Sequence, residues 1–304
     1  MKTAIETTLL TKTYKNTDAV HALNMRVPEG SVYGFLGPNG AGKSTTMKMI
    51  LGLVKPTSGN VSLLGTPVTP KNRLEILKNT GSLIESPSYY GHLTGRENLQ
   101  IIAMLKNVPE KEIDRVLSIV RMEKQQHKKV SRYSLGMKQR LGLAGAMLEN
   151  PKILLLDEPT NGLDPAGIQE MRALICSLPK QYGMTVLLSS HLLSEIDQMA
   201  SFTGIIDHGK MIFQGELDEL HMHSQKSLSL RTLDNQAACR ILSAQGISCK
   251  NKGGCLLFPA LSDEHTARLI SSLVSGGVGI LRVEEQQKTL EEIFLSLTGK
   301  QVNL

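Results

Sequence analysis

The sequence predicts an α/β protein that ends in a smaller C-terminal α/β domain. Three patterns support this fold class. An apolar segment leads into a glycine-rich loop and then into a helical pattern within residues 31–53. A second apolar segment, Lys152–Leu156, ends in two acidic residues, as a buried strand does where it reaches a sheet edge. After residue 221 the chain alternates short strand-like and helix-like segments, which indicates a separate domain.

The composition is that of a globular protein and leaves the class of partner open. The chain has 304 residues, of which 40% are hydrophobic and 20% are charged, and its formal net charge is +6. A mild basic excess suits nucleic acid, phosphate ligands or an anionic membrane surface, and does not choose among them. The absence of tryptophan and an aromatic content of 4% argue against an aromatic platform for single-stranded nucleic acid.

We expect neither a membrane span nor a disulfide framework. The apolar runs are far shorter than the ~20 residues that cross a bilayer, and the first residues lack the apolar segment of a secretory signal. The cysteines Cys176, Cys239, Cys249 and Cys255 form no Cys-x-x-Cys pair. Free thiols are therefore expected, and a zinc site is not indicated.

The glycine-rich segment matches G-x-x-x-x-G-K-[ST] at every fixed position. It comprises Gly37, Pro38, Asn39, Gly40, Ala41, Gly42, Lys43, Ser44 and Thr45. Between a strand and a helix, such a segment curls its backbone N–H groups around phosphate oxygens, and the helix presents its positive end to the same anion. Lys43 would place a charge on the outer phosphates, and the Ser44 hydroxyl would bind Mg²⁺. This segment alone fits kinases, small GTPases, helicases and transport ATPases.

The acidic pair Asp157 and Glu158 narrows that choice. A buried strand would deliver Asp157 beside the phosphates, where its carboxylate can hold Mg²⁺ through water. Glu158, one residue further along, would be the general base that polarises water for in-line attack on the γ-phosphorus. The alternative is a strand end capped by solvated acids, which the glycine-rich segment upstream disfavours.

At Tyr133–Arg140, with the sequence Tyr-Ser-Leu-Gly-Met-Lys-Gln-Arg, the chain resembles the ATP-binding cassette (ABC) nucleotide-binding subunits of transporters. The family signature is usually Leu-Ser-Gly-Gly-Gln, and the first, third and fifth positions depart from it here. Ser134 and Gly136 are kept. In the family these two positions aim a hydroxyl and a backbone N–H at the γ-phosphate of ATP held by a partner subunit. The resemblance therefore implies an ATP-dependent dimer, in which the helix that begins here adds its positive end to the same phosphate.

The resemblance implies roles for further residues. Residues 159–164 resemble the D-loop, which crosses the dimer interface in the family. His191, after a strand-like segment that ends at Leu188, resembles the switch histidine that donates to the γ-phosphate. Tyr14 occupies the position of the aromatic ring on which adenine stacks, and a half-buried strand residue is the alternative.

Glu85 is a further departure from the family pattern. ABC members have a glutamine after the third strand, where this chain has Glu85. A carboxylate binds a hard cation more strongly than an amide does, so the resemblance implies that Glu85 lies near Mg²⁺ and slows hydrolysis by its charge. An exposed loop acid is the alternative. A glutamate here resembles the subfamily that exports bacitracin-like and lantibiotic peptides for self-protection, as do the variant signature and the stretch Leu93–Leu99.

The motifs assign residues 1–221 to an ABC cassette and residues 222–304 to a small α/β accessory domain. The resemblance implies that the cassette has a RecA-like core, an antiparallel β subdomain that holds adenine and a helical arm at residues 86–145 that contacts a permease. Seven basic residues against one acid within Arg121–Arg140 are interpreted as a solvated helix face in preference to a nucleic-acid site. The accessory domain is expected to follow the order β-α-β-α-β and to end with a closing helix at residues 290–299.

The resemblance implies the ATP- and Mg²⁺-dependent ATPase subunit of an antimicrobial-peptide exporter. We expect a cytoplasmic homodimer that binds separate membrane permease subunits, touches the inner face of the membrane only peripherally and binds no nucleic acid. The alternatives are an ATPase for export of another drug or lipid, and a non-transport ABC ATPase of translation or DNA repair. The sequence does not identify the transported compound, because the permease selects it.

Overall fold

The computed structural model describes residues 2–84, 88–222, 226–259 and 261–287. The chain divides into two compact units, Met1–Leu217 and Asp218–Leu304. The predicted closing helix at residues 290–299 lies outside the described residues. Within the described ranges, no helix has the length and the apolar character that a membrane span requires.

The first unit combines a core sheet, an antiparallel sheet and helices. Its strands are β1 (Thr3–Tyr14), β2 (Thr17–Pro28), β3 (Val32–Leu36), β4 (Ser58–Leu63), β5 (Thr66–Pro67), β6 (Thr80–Leu83), β7 (Ile153–Asp157), β8 (Thr185–Ser190), β9 (Phe202–Asp207) and β10 (Lys210–Glu216). Its helices are α1 (Lys43–Ile50), α2 (Arg73–Leu77), α3 (Gly95–Lys106), α4 (Lys111–Ile119), α5 (Leu135–Ala146), α6 (Pro165–Tyr182) and α7 (Leu193–Asp197). Short 3₁₀ turns lie at Glu123–Gln125 and Val130–Arg132.

The core sheet has the strand order β10-β9-β3-β8-β7-β6. All of its pairings are parallel except that of β9 with β10. Strands β3 and β8 are buried at every residue, and so are the first four residues of β7, which explains their nearly continuous apolar sequences. Parallel strands end at the same edge of a sheet. The glycine-rich segment after β3, the acidic pair at the end of β7 and His191 after β8 therefore meet at this edge.

The antiparallel sheet has the order β2-β1-β4-β5. Strand β1 pairs with β2 on one side and with β4 on the other, and its register shifts around Leu9, whose φ is +48°. Side chains from this sheet, such as Leu10, Leu23 and Met25, pack with Met47 of α1 in one buried cluster. The sheet thereby braces the helix that follows the glycine-rich segment.

Helices α3, α4 and α5 form the arm predicted for residues 86–145. Helix α3 begins with a capping box, in which Thr94 Oγ1 accepts from the backbone N–H of Glu97 and the Glu97 carboxylate accepts from the backbone N–H of Thr94. The buried Asn98 side chain donates to the carbonyls of Tyr90 and Thr94 and accepts from the Tyr90 N–H. These hydrogen bonds hold the segment before α3 against that helix.

The second unit is a four-stranded antiparallel sheet with two helices. After α8 (Leu217–Met222), its elements are β11 (Lys226–Thr232), α9 (Asn235–Ala244), β12 (Lys250–Lys252), β13 (Cys255–Pro259), α10 (Asp263–Ser275) and β14 (Ile280–Gln287). The strand order β12-β13-β11-β14 with the element order β-α-β-β-α-β is a ferredoxin-like arrangement. The expected order β-α-β-α-β is wrong by one strand, because β12 is short and polar and carries no apolar pattern.

Leucines of β11 and β13 pack with Leu242 of α9 and Leu269 of α10 in a separate buried cluster. Asp234 and Ser262 are the N-caps of α9 and α10, because their side chains accept hydrogen bonds from backbone N–H groups of the first turn. The predicted α/β fold class is confirmed.

Candidate nucleotide-binding site

The glycine-rich segment folds as a tight loop between β3 and α1. Gly40 and Gly42 have φ values of +81° and +108°, which favour glycine. A Cβ on Gly37 would lie 2.4 Å from the Ile206 carbonyl oxygen, and one on Gly42 would lie 2.5 Å from the Ala19 carbonyl oxygen. The loop therefore packs on its neighbours as only glycine permits, and it leads directly into the N-terminus of α1. This is the backbone arrangement that cradles a phosphate.

Lys43 lies inside this loop and is only 5% exposed. Its Nζ donates to the carbonyl oxygens of Gly37, at 2.7 Å, and Pro38, at 3.2 Å, and lies 3.6 Å from Glu158 Oε1. Burial lowers the pKa of Lys43, and the Glu158 charge opposes that shift. Burial disfavours the charged ammonium form of Lys43, and a phosphate bound in the loop would stabilise that form. The loop therefore suits an anionic ligand.

Asp157 and Glu158 are held by one buried hydroxyl. In the pairing of β7 with β8, Asp157 lies opposite Ser189. Ser189 Oγ donates to Asp157 Oδ1 at 2.5 Å and accepts from the backbone N–H of Glu158 at 3.0 Å. Glu158 has a φ of +48°, the left-handed region that a glutamate rarely adopts. Ser189 therefore fixes the turn by which the chain aims Glu158 at the loop. Ser189 was not among the residues predicted for the site.

The Glu158 carboxylate is the point where the predicted residues converge. His191 Nδ1 lies 3.3 Å from Glu158 Oε1, the oxygen that also faces Lys43. Asn161 Nδ2 donates to Glu158 Oε2 at 3.3 Å. The structure thus brings the glycine-rich segment, the acidic pair and His191 into one cluster.

The turn that carries His191 is fixed by its neighbour Ser190. Ser190 Oγ accepts from the backbone N–H of Leu192 at 2.9 Å and donates to the buried carboxylate of Glu195 at 2.7 Å. These bonds hold the chain on either side of His191, whose side chain remains partly exposed. A fixed, partly exposed imidazole beside a carboxylate can donate a hydrogen bond to a ligand in the loop.

The residues that could hold Mg²⁺ are oxygen donors. Ser44 is the second residue of α1 and is half-buried, as is its neighbour Thr45. Asp157 engages Ser189 through Oδ1, and its second oxygen is chemically suited to a hard cation. In the described part of the chain, no group of three or more His, Cys, Asp or Glu residues could hold a metal ion. This donor set fits an ion that takes most of its ligands from phosphate and water. Glu85, the further predicted ligand, lies outside the described residues.

The signature segment caps α5. Ser134 is the N-cap, and its Oγ accepts from the backbone N–H of Met137 at 3.3 Å. A cavity of about 440 Å³ lies beside this cap, between the start of α5 and the start of α6. Ser134, Gly136 and Arg140 line it from one side, and Leu163 lines it from the other.

Tyr133, the first departure from the signature, has a packing role. Its ring is buried, and its hydroxyl donates to the Gln125 carbonyl oxygen at 2.7 Å. A Cβ on Gly95 would lie 2.3 Å from this hydroxyl, so the start of α3 is shaped around the ring. Burial raises the pKa of Tyr133. Tyr133 therefore joins the start of α5 to the start of α3 and to Gln125, and leucine could not make this hydrogen bond.

Tyr14 lies at the end of β1 and is half-exposed. Lys12 Nζ lies 4.9 Å from the centre of its ring and donates to the Lys55 carbonyl oxygen at 2.9 Å. A cation over an aromatic face holds the ring in place. An anchored, accessible ring suits the stacking of a base, and Lys12 is a supporting residue that the sequence analysis did not identify.

A family model described as ABC transporter matches residues 20–161. The bacitracin transport ATP-binding protein BcrA of Bacillus licheniformis is 42% identical, over 98% of this chain and 98% of its own length. The lantibiotic transport ATP-binding protein SrtF of Streptococcus pyogenes is 44% identical, over 69% of this chain and 89% of its own length. The chain belongs to the ABC transporter family of ATP-binding proteins. It is an ABC ATPase, which couples ATP hydrolysis to transport.

Solved ABC cassettes share the fold. The ABC transporter protein cbiO1 of Clostridium perfringens is 28% identical, with a TM-score of 0.67 over 72% of this chain and 91% of that protein. The cassette MJ0796, solved as a dimer in a post-hydrolysis state with ADP and Pi, is 25% identical, with a TM-score of 0.63 over 70% of this chain and 98% of that protein. Of these relatives, BcrA aligns with nearly the whole ABC chain, including the second unit.

Proposed function

We propose that the chain hydrolyses Mg²⁺-ATP with Glu158 as the general base and so drives export of a bacitracin-like or lantibiotic peptide through separate permease subunits. The convergence of Lys43, Glu158 and His191 on one loop carries the catalytic part of this proposal. The sequence identity to BcrA, 42% over 98% of both chains, supports a peptide of this class as the exported compound.

In this mechanism the loop of residues 37–42 and the N-terminus of α1 bind the phosphates, while Lys43 neutralises the outer ones. Glu158 takes the proton of the attacking water, because its carboxylate is aimed at the same loop. His191 lies beside Glu158 at this edge, where its ring can donate a hydrogen bond to a γ-phosphate oxygen. Tyr14 stacks on adenine.

Mg²⁺ would be held by Ser44 and Asp157, with Glu85 as a third candidate. When bound, the ion neutralises charge that develops on the phosphate oxygens. Ser189 and Asn161 act through Glu158 and Asp157: they fix where the base and the ligand carboxylate point. A carboxylate at Glu85 would tune the rate of hydrolysis or its coupling to transport.

Two copies of the chain would close around ATP, with Ser134 and Gly136 of one subunit facing the γ-phosphate on the other. The dimeric MJ0796 cassette supports this arrangement. The cassette would span residues 1–221 and the accessory domain residues 222–304, and the division of the chain after Leu217 supports such a boundary. The dimer would bind its permease at the inner face of the membrane.

A resistance assay tests the exported class. A sensitive strain that carries the permease would receive the wild type, Glu158→Gln or the control Glu29→Gln, which changes an exposed carboxylate in the turn before β3. We expect the wild type and the control to raise the inhibitory concentration of bacitracin or a lantibiotic, and Glu158→Gln to leave the strain sensitive. Resistance to neither peptide class, with the permease expressed, would contradict peptide export.

Co-purification tests the partner. When the chain is captured from detergent-solubilised membranes, a membrane-spanning permease should be captured with it, in a constant ratio of permease to chain. Capture of the chain without such a partner would contradict the proposed complex.

A further inference from the structure

Leu135, the third residue of the signature segment, packs on the D-loop of its own chain. The side chain is 46% exposed, and its Cδ2 lies 3.0 Å from where a Cβ on Gly162 would be. Gly162 has a φ of +74°, so glycine is favoured there for backbone reasons as well. The family signature has glycine where this chain has Leu135, so this contact comes from a departure.

A second leucine makes the reciprocal contact. Leu163 Cδ2 lies 3.7 Å from where a Cβ on Gly136 would be, which is ordinary van der Waals distance. Each leucine therefore lies over a glycine of the other segment, and all four residues line the cavity beside α5. The start of α5 and the D-loop thus interlock through apolar side chains, without a hydrogen bond between these four residues.

The D-loop is in turn bonded to the proposed base. The backbone N–H of Asn161 donates to the Glu158 carbonyl oxygen at 3.1 Å, and its side chain donates to Glu158 Oε2 at 3.3 Å. Asn161 directly precedes Gly162, the glycine under Leu135. A shift of the D-loop away from α5 would therefore carry Asn161 with it and turn the Glu158 carboxylate.

We propose that Leu135 is a positioning residue for ATP hydrolysis, acting through Gly162 and Asn161 to hold Glu158 in line with the nucleotide. This inference rests on the proposed role of Glu158. It assigns Leu135 a task within its own subunit, separate from the proposed contact of Ser134 and Gly136 with the partner's phosphate. Catalytic geometry is sensitive to such shifts, since a displacement of about 1 Å can cost about a hundredfold in rate.

The test compares Leu135→Ala with a matched control, Leu74→Ala, which truncates an exposed leucine of α2. We expect Leu135→Ala to lower kcat about tenfold while KM stays within about twofold, because positioning is lost without loss of nucleotide contacts. Leu135→Met, which keeps an apolar side chain of similar volume, should restore most of kcat. Leu74→Ala should match the wild type.

A double-mutant cycle tests whether Leu135 acts on Glu158 through Asn161. If Leu135 acts through Asn161, Leu135→Ala should cost little further rate in an Asn161→Ala background. In a Glu158→Gln background, ATP should trap the dimer at the same ATP concentration with or without Leu135→Ala. Additive losses in the cycle, a loss confined to KM, or a Leu135→Ala variant equal to Leu74→Ala would overturn the inference. A wild-type chain without ATPase activity would instead overturn the proposed function.

Discussion

Replacing Ser189 by alanine removes the one buried hydroxyl that holds both members of the acidic pair. Its bond to Asp157 is charge-assisted, and such bonds contribute about 1.5–3 kcal/mol. The backbone N–H of Glu158 loses its acceptor as well, which costs about 1–3 kcal/mol where water does not replace it. Allowing for partial solvation at this edge, we expect a loss of about 3 kcal/mol in the free energy of unfolding.

For a unit of this size, about 2–4 °C of Tm is lost per kcal/mol, so Ser189→Ala should lower Tm by about 6–12 °C. The left-handed turn at Glu158 would relax without its anchor, since such a backbone costs about 1–3 kcal/mol to hold. We therefore expect kcat to fall by about ten- to a hundredfold as the base loses its aim.

The assays are thermal unfolding followed by circular dichroism and steady-state ATP hydrolysis. Ser177→Ala is the matched control, because Ser177 Oγ donates only to the Leu174 carbonyl within its own helix. It should change the free energy of unfolding by no more than about 0.5 kcal/mol. If Ser189→Ala unfolds at the temperature of Ser177→Ala and keeps its kcat, Ser189 does not anchor the acidic pair.

Three further predictions concern single groups. Tyr14→Ala should weaken ATP binding about tenfold, since stacking contributes about 1–3 kcal/mol, while Tyr14→Phe should bind ATP as the wild type does. Fluorescence titration with labelled ATP measures the affinity of each variant, and an affinity of Tyr14→Ala equal to that of the wild type would remove Tyr14 from the site. Because burial lowers the pKa of Lys43 and phosphate would raise it again, ATP affinity should fall as alkaline pH passes through the lowered pKa. Calorimetry in buffers of different ionisation enthalpy should then show proton uptake, and its absence would contradict this account of Lys43. Burial, with the hydrogen bond to Cys239, raises the pKa of the Cys249 thiol to about 11. Iodoacetamide should therefore alkylate Cys249 at neutral pH at least about a hundredfold more slowly than a free thiol, and rapid labelling in mass spectra would be inconsistent with that burial.

Motif spacing in the sequence predicted an α/β protein, and the family resemblance implied how its cassette is arranged. Short apolar strands that end in Asp157 and near His191 must meet the glycine-rich segment, because parallel strands share one edge. The sequence did not show which side chains support them. The role of Ser189 depends on its pairing opposite Asp157, and that of Asn161 depends on a turn, so neither has a local signal.

The departures in the signature segment also could not be explained from the sequence. Tyr133 and Leu135 replace family residues, and the sequence alone gave no reason for either. The structure explains Tyr133 by its bond to Gln125 and Leu135 by its contact with Gly162. Strand β12 was missed because its three residues, Lys250–Lys252, are polar and carry no apolar alternation.

The central claim is that Glu158 is the base of an ATPase that works as a dimer, and one paired measurement on Glu158→Gln tests it most directly. The variant keeps the shape of the side chain and loses its charge. Steady-state ATP hydrolysis should fall to background, while size-exclusion chromatography with ATP should show a trapped dimer that disperses when ATP is removed. Hydrolysis at the wild-type rate would contradict the assignment of Glu158, and a chain that stays monomeric with bound ATP would contradict the dimer.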